Sequence, residues 1–434
     1  MKKGIVAILV ILALIVLVSP GLVGRLAEKS VDEQLQWAAT ENKEVVITSE
    51  KFDRGWFSSE GRHRIELGKT GPGMKLREQL GFPADGPSPA VIIETRLDHG
   101  LIPVSSITRA EGSLAPGLGR AVSTVSIESI DGDVTELPGT IYSKVGLDGG
   151  LASHYFLDAG SMKDMSWGAG DVEVSADTGS GRVIIDGGFD SFTMVSPDDN
   201  SYSVGKFELS SDMTMTDYGY SVGDMAFVID SMNISSEQSD VTMGPFKLDA
   251  TSELDDDRVN VKTKMNFAVA SLPPIGDIAW SMDMVLTGLD AAATGRLQKA
   301  LERAQGTQDP TMLLSMVEDD LMDLAAGGFE MRFDQLDVTL PQGTVFTKFA
   351  FDLPASDRQS FAWTGVLLSL EASADIKIPS ELYDMATAMN PQANMAVAMG
   401  ILKKNGDTYE MTAEYKKGLL TVNGAPMPIP LPGS

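Results

Sequence analysis

Three histidines, His63, His99 and His154, are the only imidazoles in this 434-residue chain, and each stands alone. Metal-assisted hydrolysis on a helix needs paired histidines with a carboxylate beside them, and neither His-Glu-x-x-His nor His-x-His occurs. His99, within Asp98-His99-Gly100, reads as a turn residue, because Asp and Gly already meet the demands of a tight turn. His63, between Arg62 and Arg64, reads as a strand position, and no spacing gives His154 a partner. Acidic clusters stand at Asp131-Gly132-Asp133, Asp198-Asp199-Asn200 and Asp255-Asp256-Asp257. A Ca²⁺ loop needs spaced oxygens and a distal bidentate Glu; these runs have neither and read as hairpin turns. A serine nucleophile on a strained elbow would need Gly-x-Ser-x-Gly, which is missing, and Gly179-Ser180-Gly181 reads as a loop between strands. Gly117-Leu118-Gly119 lacks the strand-to-helix setting of a phosphate-binding turn. Cysteine is absent, which removes thiol nucleophiles, thiolate metal sites and disulfides. The residues therefore point to no enzyme, no metal and no cofactor.

The elements that would have to position any such chemistry are mostly strands. Period-two alternation begins near Glu44, and a turn at Asp53-Arg54-Gly55 leads into Trp56 to Leu67. Val91 to Leu97 reads as a strand ended by Asp98-His99-Gly100, and proline-rich Gly71 to Pro89 as a surface loop. From Ala121 to about Pro273, short alternating runs are separated by Gly, Asp and Asn. The cleanest is Val259, Val261, Thr263, Met265, Phe267 and Val269, a strand of about eleven residues or roughly 36 Å. Val345 to Leu353 is another. Between Phe329, Met331, Phe333 and Leu336, Val338, Leu340 the alternation slips by one position, the signature of a β-bulge.

Helical periodicity is confined to Ala291 to Ala304, Thr311 to Ala326 stopped by Gly327-Gly328, and a pair, Ser380 to Met389 and Ala393 to Leu402, broken at Asn390-Pro391. The chain closes on a hairpin, Tyr409 to Tyr415 turning at Lys417-Gly418 into Leu419 to Val422, with a further turn at Asn423-Gly424. The fold class is mainly β (α+β), a long bent antiparallel sheet or sheets with a few helices. One-sided alternation demands a cover for the apolar face: a second sheet, helices or a ligand.

Ahead of this lies Met1-Lys2-Lys3 and an almost unbroken apolar run from Gly4 to Val23. About 20 apolar residues at helical rise cross a hydrocarbon core of roughly 30 Å. The run exceeds the h-region of a cleaved signal peptide and reads as an uncleaved anchor. Lys2 and Lys3 hold the N-terminus in the cytoplasm by the positive-inside rule. The expected layout is an anchor over 1–24, a helical stalk over 25–43, a β-rich region over 44–280, and a second β-rich region with helices over 281–434. Removing Lys2 and Lys3 from the 34 basic residues leaves 32 against 61 acidic ones, so the exported part carries about −29. That field excludes nucleic acid as a partner. The 23 methionines suit adaptable packing or a pliable apolar surface.

The stretch Phe52-Asp53-Arg54-Gly55-Trp56-Phe57-Ser58-Ser59 resembles a Y/F-x-R-G-x-F-S-S motif of the YdgA family of bacterial inner-membrane proteins of unknown function. Asp98-His99-Gly100-Leu101-Ile102-Pro103 is similar to that family's D-H-G-x-x-P. Tyr415-Lys416-Lys417-Gly418-Leu419-Leu420-Thr421-Val422-Asn423-Gly424 resembles its terminal hairpin. The resemblance implies a single-pass protein of the bacterial inner membrane with a large β-rich periplasmic domain and no assigned activity. Its motif residues Arg54, Gly55, Phe57, Asp98, His99 and Gly100 also read as structural. By architecture alone the layout is similar to AsmA-like envelope proteins, whose bent sheets carry an apolar groove, and fold does not fix function.

Two functions of different classes follow. One is a non-catalytic envelope protein whose curved sheet holds or shuttles lipid or another apolar ligand, lined by Val261, Met265, Phe267, Phe349 and Phe351. The other is an envelope scaffold that binds other proteins, or a second copy of itself, and no lipid. A hydrolase is the weakest reading, since it would need a cleft gathering His99 with a serine and an acid. The lining residues equally suit an ordinary core, where Val, Met and Phe are usually found.

Overall fold

A computed structural model describes residues 45–54, 58–69, 73–74, 88–99, 119–128, 132–146, 148–162, 165–195, 201–235, 240–272, 276–304, 310–358, 361 and 363–427. The anchor Gly4 to Val23, the stalk and most of the Gly71–Pro89 loop lie outside these residues. Among the described residues no helix is long and apolar enough to cross a membrane. They are mainly β, with 26 strands, all pairing antiparallel where pairings are defined, and five α-helices from Ala291 onward. The chain divides into two compact units, one formed by 1–215 and 233–239, the other by 216–232 and 240–434.

In the first unit, Val45–Arg54, Ser58–Leu67, Ala90–His99, Gly119–Glu128, Gly139–Val145, Leu151–Leu157, Gly170–Asp177, Arg182–Phe189 and Phe207–Met215 pair in that order. Because successive side chains alternate across a strand, the apolar residues that register places side by side share a face, odd-numbered from Val45 to Tyr155 and even-numbered on Gly170–Asp177. They form one buried cluster, including Val45, Ile65, Leu67, Val91, Ile93, Val125, Ile127, Ile141, Tyr155 and Val174. Leu67 and Val91 are 0 % exposed. Tyr155 sits among them, and burial pushes its phenol up to about 12. On the other face the guanidinium of Arg64 forms two hydrogen bonds with the Glu128 carboxylate, at 2.7 and 2.8 Å.

In the second unit, Ser221–Ile229, Asp240–Asp255, Arg258–Leu272, Gly276–Asp290, Phe329–Leu340, Gly343–Leu353, Glu371–Pro379 and Thr408–Lys416 form the corresponding ladder. The strand expected over about eleven residues runs for 15, Arg258–Leu272. The bulge expected between Phe333 and Leu336 is present: the register with one neighbour shifts between Asp283 and Met284, opposite Gln335 and Phe333. The other neighbour's register shifts between Phe333 and Val338. A second shift, between Met243 and Phe246, holds Gly244-Pro245, since proline has no N–H for a ladder bond. The Asp255–Asp257 cluster is a hairpin turn, with Asp255 paired to Arg258 and Asp256 at φ 52.

Helices Ala291–Ala304 and Pro310–Gly327 follow the ladder strand Gly276–Asp290. The carboxylate of Asp290 caps the first by accepting from the Ala293 N–H at 2.8 Å. Arg258 ties the end of the second to the sheet, donating to the carbonyls of Gly288 and Gly327, each at 2.9 Å.

Two expectations are corrected. Asp98 and His99 do not form a turn: they are the last residues of Ala90–His99, paired with Arg120 and Gly119. Ladder bonds from both neighbours carry the strand past the point where Asp-His-Gly suggested it would stop. The second helix of the late pair covers only Asn394–Ala398, preceded by a 3₁₀ turn at Pro391–Ala393. Gly400, at φ 74, reverses the chain there, so Gly400 to Leu402 are not helical. The terminal hairpin forms as expected, with Lys417 and Gly418 at φ 53 and 77 and Asn423 and Gly424 at φ 51 and 78.

Candidate functional site

The alternation along Arg258–Leu272 puts Val261, Thr263, Met265, Phe267 and Val269 on one side and the exposed Lys262, Lys264 and Asn266 on the other. Register then extends that side across the second unit. Val261 is paired with Leu286, Leu286 with Met331, Met331 with Phe351, and Phe351 with Ala372. One row further along, Thr263, Met284, Phe333, Phe349 and Ala374 pair in succession. Phe246, Phe267, Trp280 and Val338 make another row, and Leu248, Met265, Met282 and Leu336 the one between. All five candidate residues, Val261, Met265, Phe267, Phe349 and Phe351, therefore occupy a single face of one sheet.

Rings join along that face. Phe246 meets Phe227 edge-on at 5.6 Å and Phe267 at 6.1 Å, and Phe351 stacks on Phe329 at 5.5 Å. The face closes at one end, where Val259 and Leu289 are 3 % and 8 % exposed and pack with Tyr220 and Ala291. Leu324 of helix Pro310–Gly327 packs against the same cluster. Burial at this end raises the Tyr220 phenol, with help from Tyr218 and Asp290, so it stays neutral at physiological pH. From Val261 to Val269 the apolar side chains are only half-buried. Eight steps at strand rise make that nine-residue stretch about 27 Å long. The opposite face is polar, with Lys264 and Asp283 paired at 3.3 Å.

Trp280, Met282, Met284, Phe246 and Leu248 belong to the same face and were missing from the sequence-derived set. Their signal was available: Ile278, Trp280, Met282, Met284 and Leu286 alternate as cleanly as the neighbouring strand.

Of the remaining motif residues, Gly55, Phe57 and Gly100 lie outside the described residues. Register brings Arg54 and Asp98 to the same end of adjoining strands, with Arg54 opposite Ser59 and Ser58 opposite Asp98, and His99 pairs with Gly119. Asp98 is 3 % exposed. His154 gains a partner that spacing did not suggest, Asp171, whose carboxylate lies 2.7 Å from its Nε2. Ser153 adjoins His154 in one strand and so points to the opposite face, where its hydroxyl bonds that of Ser143 at 2.8 Å. That alternation keeps this serine from serving as the nucleophile for His154. Among the described residues no group of acids and histidines could hold a metal ion.

The family model described as "Bacterial protein of unknown function (DUF945)" matches residues 1–430 of the chain. No curated protein and no solved structure matches it.

Proposed function

The chain belongs to the bacterial family of unknown function DUF945, and we propose that it is a non-catalytic envelope protein that holds an apolar ligand, a lipid acyl chain, on the open face of its second unit. The supporting observation is the half-buried run from Val261 to Val269 and the rows that extend it to Phe349 and Phe351. An antiparallel sheet with one apolar face needs something to lie on it. At about 27 Å the run is long enough for a chain that fills one leaflet of a hydrocarbon core about 30 Å thick. The address proposed is the inner membrane, with Gly4 to Val23 as the span, the N-terminus in the cytoplasm and the bulk in the periplasm. The motif similarity to the YdgA family supports that placement.

The test is extraction and mass spectrometry of lipid retained by the full chain after gentle purification. Wild type should retain stoichiometric lipid, and Met265→Asp with Phe349→Asp should lose it while keeping the wild-type far-ultraviolet circular dichroism and a cooperative melt. Lipid-free wild type, or equal lipid in the double variant, removes the proposal.

A scaffold reading has its own observation. Around the late helices Met389 is 81 % exposed, Met395 58 % and Met399 59 %. Flexible, polarizable methionines suit surfaces that adapt to protein partners. Loss of a co-purifying protein on Met389→Ser and Met395→Ser, with no lipid in wild type, would favour that reading.

A further inference from the structure

A cavity of about 830 Å³ opens on the first unit, on the strands Gly119–Glu128, Gly139–Val145, Leu151–Leu157, Gly170–Asp177 and Arg182–Phe189. Its size is that of a small-molecule site. Arg120 and Lys144 border it and are direct cross-strand partners, so two cations stand side by side. Like charges in that position repel. The chain has 61 acidic residues against 34 basic ones, so carboxylates to relieve the repulsion are abundant. Elsewhere in this unit they are used. Arg62 binds Glu50 and Glu94, Arg64 binds Glu66 and Glu128, and Arg182 binds Asp212. Among the described residues Arg120 and Lys144 form no such pair.

Next to the two cations the cavity is aromatic. Tyr142 meets Phe156 edge-on at 6.1 Å, and the His154 ring lies 3.7 Å from that of Phe156. Three acids also border the cavity. Asp98, the cross-strand partner of Arg120 on the side away from Lys144, is buried, with Arg96 Nε 4.0 Å from its carboxylate. Glu173 and Asp186 stand two and three strands across and two residues along from Lys144, about 12 and 16 Å at normal strand spacing and rise. Two cations against the neighbouring Asp98 carboxylate leave that end of the cavity net positive, and Glu173 and Asp186 oppose negative charge at the other.

We propose that this cavity binds an organic anion with a single phosphate or carboxylate head, seated between Arg120 and Lys144, and an apolar body lying on Tyr142 and Phe156. Arginine's planar fork matches such a head in two-point contact, and lysine adds a point charge. The site is separate from the apolar face of the second unit and does not depend on it.

The test is calorimetry on the full chain in a non-ionic maltoside, with hexyl phosphate, inorganic phosphate and dihexanoyl phosphatidate below its micellar concentration. Hexyl phosphate should bind saturably, at least tenfold tighter than inorganic phosphate. Arg120→Gln with Lys144→Gln should weaken it tenfold or more. Phe156→Ala should weaken hexyl phosphate and leave inorganic phosphate unchanged, a split that misfolding would not produce. Phosphatidate bound as tightly as hexyl phosphate assigns the head to a lipid, and weaker phosphatidate binding assigns it to a free organic anion; both uphold the site. No saturable binding, or unchanged binding by the Gln pair, overturns it.

Discussion

The two units use the same device, a strand ladder with one apolar face, and finish it differently. In the first, the face carries Leu67 and Val91 at 0 % exposure and Ile93 at 2 %, within one buried cluster. In the second, burial reaches that level at Val259 and then stops, and Val261 to Val269 stay half-buried over the rest of the strand. Composition separates them in part: the first cluster is Val, Ile, Leu and Tyr, and the second face adds Met, Phe and Trp to Val and Leu. They differ further in whether other side chains close over the face, which alternation alone cannot reveal.

The largest expected effect breaks that comparison at its closed end. Leu67→Ala leaves a cavity among fully buried neighbours and should cost about 2–5 kcal/mol. Met265→Ala, on the half-open face, should cost about 1–2 kcal/mol, since less area returns to water and solvent fills the gap. Denaturant unfolding of the two variants reads the difference. Equal costs would mean the second face is packed as tightly as the first.

Next is Asn423, whose side chain joins the terminal hairpin to the turn after the late helices. Its amide donates to the carbonyls of Gly400 and Ile401 at 2.9 and 3.0 Å, and its oxygen accepts from the Thr412 N–H at 3.0 Å. Asn423→Gly keeps the positive φ of 51 and removes those bonds, at a cost of about 1–3 kcal/mol. Hydrogen exchange should show faster opening at Gly400 to Leu402, with the first unit unchanged.

A smaller effect belongs to pH. Hydrogen bonding to Arg64 holds the Glu128 carboxyl below its ordinary value. A depressed folded pKa gives stability that is present above the unfolded value, about 4.3, and is lost as pH falls through the folded one. Acid melting of the first unit should therefore steepen below about pH 4. Glu128→Gln should flatten that dependence and leave the second unit's unchanged. Smallest of all is Arg182→Ala, which removes a solvent-exposed pair with Asp212. Melting should not move, because exposed pairs contribute little.

Much of this could be read from the residues. Helix Ala291–Ala304, the bulge after Phe333 and the terminal hairpin were legible because each is set by local chemistry: periodicity, a slipped alternation, and Asn-Gly or Lys-Gly at positive φ. His99 was misread because strand length depends on neighbouring strands, which a local Asp-His-Gly signal cannot report. The shared face of Val261 and Phe351 was legible only as two separate alternations, and register joined them through Leu286 and Met331. Partnerships such as His154 with Asp171 and Arg120 with Lys144 arise from register alone and leave no trace in spacing.

The chain's lack of cysteine makes single-thiol reactivity the most direct measure of an open face beside a closed one. Met265→Cys and Phe349→Cys should react with a maleimide in the native, delipidated full chain and be shielded when lipid is restored. Ile93→Cys should react only on unfolding. Thiols at 265 and 349 as slow as the one at 93, with or without lipid, would contradict the account.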